Sequence, residues 1–164
     1  MKLLTTLIFT LLFFFNTSAQ NLPNLTLKTI ENENFQIKLF EKEPLVLLSF
    51  WATWCSNCIY ELDEISDLYS DWKAETNVKI VAISVDDYRT ISRVRPFLKS
   101  HQWPYKILLD TNQKLKRLLN ISNIPEVIIL KKGKIVYRHS GYTPGNEDVI
   151  YEELKKNADN KKAK

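Results

Sequence analysis

The stretch Phe50-Trp51-Ala52-Thr53-Trp54-Cys55-Ser56-Asn57-Cys58 limits what this chain can become. Before it runs Leu45 to Phe50, apolar on both faces as a strand covered on both sides must be. After it runs the amphipathic segment Ile59 to Trp72, with Ile59, Leu62, Ile65, Tyr69 and Trp72 at three- and four-residue spacing. The stretch between reads as strand, tight loop and helix start. It holds both of the chain's cysteines.

A cysteine in a helix's first turn faces unpaired backbone N–H groups and the positive end of the helix dipole, and both favour thiolate over thiol. The thiolate is the nucleophile, and in such places a cysteine pKa falls from about 8.5 into the range of roughly 3.5–7.5. Cys58 lies three residues on, one turn deeper on the same helix side. A pair so spaced can close a disulfide within one turn, which permits attack by Cys55, a mixed disulfide, and resolution by Cys58. Two other readings of the pair are half of a zinc site and an inert structural bridge. Zinc asks for about four ligands, and beyond the pair the sequence offers only the isolated His101 and His139. A bridge closing so short a loop removes little unfolded-state entropy and is a poor staple.

Met1-Lys2, the apolar run Leu3 to Phe15 and the small residues of Asn16-Thr17-Ser18-Ala19 read as a signal peptide over residues 1–19, cut after Ala19, with an uncleaved membrane anchor as the other reading. Either places the remainder outside the cytoplasm, in the periplasm or on the outer face of the inner membrane. No cysteine follows the apolar run, which argues against a lipid-modified terminus. Taking nineteen residues from 164 leaves 145, enough for one domain over 20–157 and a flexible Lys-rich tail over 158–164. The net charge of +4 is scattered apart from that tail, so nothing calls for a nucleic acid. Lys114, Lys116 and Arg117 read as a solvated helix face.

The remaining elements follow from patterning. Leu25 to Ile30 and Phe35 to Leu39 alternate around Glu31-Asn32-Glu33-Asn34 as a peripheral hairpin, and Glu41 to Pro44 connects it to the apolar strand. Lys79 to Val85 is a second buried strand ending at Asp86-Asp87, at the sheet end where α/β folds place their sites. A helix over Thr90 to Ser100 is expected to break or bend near Pro96. Then come a strand from Tyr105 to Leu109, a short helix from Asn112 to Leu119, and a strand from Glu126 to Leu130 opened by Ile124-Pro125. A return strand from Ile135 to Arg138 after the Lys132-Gly133 turn and a helix from Asn146 to Lys156 close the chain. This order implies an α/β sandwich with parallel central strands and an antiparallel edge.

With Ile124-Pro125 ahead of a strand, Trp51-Ala52-Thr53-Trp54-Cys55-Ser56-Asn57-Cys58 resembles the thioredoxin superfamily, and more closely its secreted or membrane-anchored TlpA/ResA-like thiol–disulfide oxidoreductases. The likeness extends to Val85-Asp86, Phe97-Leu98-Lys99 and Trp103-Pro104-Tyr105 ahead of Asp110. It implies a thioredoxin-like three-layer sandwich: a central mixed sheet, helices on both faces and an N-terminal β-hairpin. It implies that Cys55 is the exposed attacking thiol, Cys58 the buried one, and Pro125 a cis-proline that leaves the Ile124 backbone free for an extended substrate. Trp54, Ile124 and Pro125 are then the substrate-binding residues.

Glu61 carries the third catalytic role. It lies about 60° around the helix from Cys58, at the margin of the apolar stripe. An acid here, in the resemblance, governs the cysteines' proton transfers, and a half-buried carboxylate with a raised pKa suits that task. Three residues depart from the family pattern: Ser49 where thioredoxin has a buried aspartate, Glu126 where a threonine usually follows the cis-proline, and Asp63 where a proline is frequent. Glu61 then replaces the missing aspartate, and Glu126 puts the carry-over of substrate preference in question.

The expected activity is reduction of protein disulfides by a monomer whose only redox group is its own cysteine pair, with no bound metal or cofactor. Its substrates would be disulfide-containing secreted proteins, as in cytochrome c maturation, and its electron donor a membrane thiol-transfer protein. Two rivals remain: a thiol peroxidase, which needs Thr and Arg groups flanking one thiolate, and a copper-binding protein, which needs a third ligand beside the pair.

Overall fold

Every residue of the strand Leu45–Trp51 is buried, so the sheet must be covered on both faces at this strand. The computed structural model describes residues 22–159. The leader, its cleavage point after Ala19 and the tail from residue 160 lie outside these residues. The chain runs β1 (Thr26–Thr29), β2 (Asn34–Gln36), β3 (Leu45–Trp51), α1 (Ser56–Thr76), β4 (Lys79–Ser84), α2 (Val94–His101), β5 (Lys106–Leu109), α3 (Lys114–Leu118), β6 (Glu126–Lys131), β7 (Lys134–Ser140) and α4 (Asn146–Asn157).

The strands form one sheet in the order β2-β1-β5-β4-β3-β6-β7. The three central strands β5, β4 and β3 are parallel. Antiparallel strands flank them on both sides rather than at one edge: β1 and β2 beyond β5, β6 and β7 beyond β3. Alternation sorts the side chains into two cores. Leu45, Leu47 and Trp51 face α1, α2 and α4, with Leu62, Ile65, Val94, Ile150 and Leu154 packed on them. Val46, Leu48 and Phe50 face the other way, toward Leu115 of α3, Ile37 and Phe40.

Two local expectations are corrected. The strand expected from Phe35 to Leu39 stops at Gln36, and Ile37–Lys42 is a 3-10 helix. Alternation of Phe35, Ile37 and Leu39 suggested a strand, but the buried pair is Ile37 and Phe40, three apart, while Leu39 is 41% exposed. A three-residue repeat is what a 3-10 turn places on one side. Pro96 does not interrupt its helix either. It sits in the first turn of α2, where its missing N–H has no partner to lose, and the irregularity falls earlier, in the 3-10 turn Ile91–Arg93.

The two cores give a direct test. Leu47, fully buried between Ile80 and Ile129 in register, should cost about 2–5 kcal/mol when replaced by alanine. Leu39→Ala should change stability by less than about 0.5 kcal/mol, because half-exposed leucines on a turn contribute little. Urea unfolding of both variants checks the contrast, and a Leu39 cost as large as that of Leu47 would restore the longer strand.

Candidate active site

Register brings three chain segments to one end of the sheet. β3 delivers the loop at residues 52–55, and its last residue, Trp51, accepts from the Val85 N–H at 2.8 Å, which ties the loop to the end of β4. Phe50 pairs with Glu126, so the residues just before Glu126 lie alongside that loop. Pro125 is buried and its bond to Ile124 is cis. Cys55 and Ile124 are both partly buried and both pack against the edges of the two cores.

Cys55 and Cys58 are joined by a disulfide, S–S 2.03 Å. Cys55 is the N-cap of α1 in extended backbone conformation, and its sulfur accepts from the Cys58 N–H at 3.3 Å. One of the helix's unpaired donors is thus spent on sulfur. When the bridge is opened, that sulfur stands for a thiolate at the positive end of a 21-residue helix. Cys55 is partly exposed and Cys58 fully buried, so only Cys55 can be approached from outside. Trp54, 56% exposed, borders an open cleft of about 320 Å³ lined also by Val85, Asp87, Arg89, Thr90 and Gln113.

Glu61 goes further inside than its place at the stripe's margin suggested. It is 1% exposed, on the side of α1 that also buries Cys58, Leu62 and Ile65. Ser49 Oγ donates to its Oε2 at a long 3.4 Å, and its Oε1 has no partner among the described residues. Burial above all pushes its pKa from 4.5 up to about 8; the Ser49 bond is the next influence and opposes it, and the like charges of Glu147 and Glu126 add smaller upward pushes. Three residues apart on one helix, Glu61 and Cys58 are surface neighbours of each other.

Two arrangements were not read from the sequence. Asp86, fully buried, accepts from the Thr53 N–H at 2.9 Å, the Thr53 hydroxyl at 2.6 Å and the Ser84 hydroxyl at 2.9 Å, and so pins the loop two residues before Cys55. The acidic pair closing β4 was the signal for it, without the partner. Asp63, the departure from proline, accepts from the Trp103 indole N–H at 2.7 Å. That fixes Trp103 edge-on against Trp51, ring centroids 4.8 Å apart, behind the cysteine loop. Glu126 is 4% exposed and paired with Arg138 at 3.0 Å. His139 shares a 2.8 Å contact with Asn146, and His101 stacks on Phe97. Among the described residues no group of three or more His, Cys, Asp and Glu side chains is placed to hold a metal ion.

A mixed sheet between helices, with a bridged cysteine pair capping the helix after one of its central strands, defines a thioredoxin-like protein with a redox disulfide centre. A solved thioredoxin-like protein from Porphyromonas gingivalis is 37% identical, with a TM-score of 0.71, over 87% of this chain and 94% of that one. Residues 19–138 match the model of the AhpC/TSA family, and the chain belongs to that family. It is 34% identical over 112 residues to the thiol-disulfide oxidoreductase ResA of Oceanobacillus iheyensis, a match spanning 66% of this chain but only 57% of that protein. StoA of Bacillus subtilis, with a solved structure, is 26% identical at a TM-score of 0.62 over 79% of this chain and 99% of its own.

The Glu61 carboxyl makes stability depend on pH in a definite direction. Folded, it holds its proton up to about pH 8; unfolded, it releases it near 4.5, so between those values the unfolded state binds fewer protons and folding weakens as pH rises. The penalty is absent below about pH 4.5 and complete above about 8. Glu61→Gln should therefore gain on the wild type as pH rises through this window, by on the order of 3 kcal/mol at pH 7. Urea unfolding of both oxidised proteins from pH 4 to 9 measures it, and two parallel curves would show an ordinary carboxylate.

Proposed function

We propose that this chain is a thiol–disulfide oxidoreductase that reduces disulfides of proteins outside the cytoplasm, using Cys55 and Cys58 as its only redox group. The observation that carries the reading is the asymmetry of the pair: one sulfur open to a partner at a helix N-terminus, the other sealed beside a buried acid. Relatives named thiol-disulfide oxidoreductase support the class of reaction, and the apolar N-terminal segment Leu3 to Phe15 supports the compartment.

The cycle begins with both cysteines reduced. The Cys55 thiolate attacks one sulfur of a substrate disulfide; that S–S bond breaks, the leaving substrate thiolate takes a proton from solvent, and a mixed disulfide links Cys55 to the substrate. In the fraction of molecules whose Glu61 is ionised, which grows as pH approaches 8, Cys58 then gives its proton to that carboxylate and attacks the Cys55 sulfur. The mixed bond breaks, and the second substrate sulfur leaves and takes up, directly or through solvent, the proton that Glu61 received, which returns Glu61 to its ionised form. Two electrons and two protons have passed to the substrate, and the Cys55–Cys58 bridge seen here is the product. A carboxyl with a pKa of about 8 suits the middle step, since its proton affinity is close to that of a thiol near 8.5. A dithiol of a membrane thiol-transfer protein would reopen the bridge.

Trp54 and the backbone of Ile124 are the surfaces we assign to the substrate. Among the described residues the Ile124 N–H and C=O form no hydrogen bond, so both are free to pair with an extended segment. The groups a peroxide-cleaving thiolate needs are committed elsewhere: the Thr53 hydroxyl to Asp86, the Arg89 guanidinium to Asp87.

Insulin reduction with a dithiol supply should be lost in both Cys55→Ser and Cys58→Ser, with only Cys58→Ser accumulating a mixed disulfide to insulin. Full turnover by either variant would refute the exchange cycle. In Glu61→Gln, the alkylation profile of the reduced protein against pH should move; an unchanged profile removes Glu61 from the proton path while leaving the cysteines in place.

A further inference from the structure

Glu126 is a buried carboxylate that passes no proton and makes no bond in the exchange cycle. It opens β6 on the sheet face shared with Ile128 and Leu130, opposite the face that carries Cys58 and its helix. A charge removed from water needs partners, and it has them: Arg138 Nε donates to Oε1 at 3.0 Å and the Ser140 hydroxyl donates to Oε2. The same guanidinium reaches a third place. Arg138 Nη2 donates to the Leu119 carbonyl at 2.9 Å.

Leu119 follows α3 and Glu126 begins β6, so the residues between, 120–125, form the loop that presents Ile124 and Pro125. One planar guanidinium therefore grips both ends of that loop. Just past β7, the Gly141 N–H donates to the Pro125 carbonyl at 2.8 Å. β7 and the residue after it thus hold the loop at three points, while the Ile124 backbone groups stay unbonded among the described residues.

We infer that Arg138, Glu126 and Ser140 form a clamp that positions the Ile124 backbone for polypeptide substrates, and so favours disulfides within an extended chain over small free disulfides. The inference rests on the exchange reading above and adds positioning residues to it. A small disulfide needs only the exposed Cys55 sulfur; a polypeptide needs the neighbouring loop at the right height as well. Lysine cannot replace Arg138 in this role, because a single ammonium on a flexible stem does not span two acceptors as a fork does.

The test compares the wild-type chain with Glu126→Gln and Arg138→Lys, using insulin and hydroxyethyl disulfide as the two oxidised substrates. KM for insulin should rise about tenfold with kcat held, as for one lost hydrogen bond of ordinary strength, while kcat/KM for hydroxyethyl disulfide stays within about twofold. Exchange of the Gly141 amide should quicken in both variants. Glu126→Asp, which keeps the charge, should recover part of the insulin KM and serves if Glu126→Gln folds poorly. An unchanged insulin KM, or equal losses on both substrates, overturns the clamp while leaving the exchange reading intact. A wild-type chain that reduces neither disulfide overturns both.

Discussion

Helix α1 starts with backbone N–H groups that no carbonyl of its own can reach, and the atom that answers one of them is the sulfur of Cys55. Much else in the molecule serves to keep that contact in place. The fully buried strand β3 aims the loop, Asp86 pins Thr53 within it, and Trp51 backs it against Trp103. A helix N-terminus stabilises negative charge only over its first turn, so a sulfur held at the cap lies within reach of the effect. The side chains of Ser56 and Asn57, between the two sulfurs, are exposed.

The sheet and its helices were legible because their signals are local and periodic. β3 carries its apolar run, Leu45 to Phe50, one residue further to Trp51, and α1 extends the Ile59 to Trp72 stripe at both ends, stopping where Asn77 adopts a left-handed conformation. Sequence reading failed where two periods compete over a few residues. Phe35, Ile37 and Leu39 satisfy a strand's alternation, while Ile37 and Phe40 satisfy a three-residue turn. The second buries more, and nothing short of the packing decides it. The site shows the same division. The cysteines could be found from spacing and context alone, whereas Thr53 lies 33 residues from Asp86, the partners of Glu126 lie 12 and 14 residues from it, and these pairings obey no pattern along the chain.

Ser49 and Glu61 show how a departure at one position is answered at another. A serine in the middle of a buried strand supplies a single weak donor and no charge, and Glu61 enters from the helix above to occupy the space beside it. The acid therefore reaches the cysteines from the helix and not from the sheet. On the helix it sits three residues past Cys58, so the distance between acid and buried thiol is set by helix geometry and changes little with movements of the sheet.

Four carboxylates are buried among the described residues, Glu61, Asp86, Asp110 and Glu126, and their hydrogen-bond partners set one of them apart. Asp86 is held by two hydroxyls and an amide, Asp110 accepts the Leu115 and Lys116 N–H groups at the start of α3, and Glu126 is neutralised by Arg138. In each of these three, both carboxylate oxygens have a donor. Glu61 has one long bond and an empty oxygen, so binding a proton relieves it of a charge that burial makes expensive. Adding a good donor beside Glu61 would make the fold more tolerant of high pH and the acid a poorer acceptor for a thiol. The same shortage of hydrogen bonds that weakens the core at this point therefore suits Glu61 to the proton transfer we propose for it.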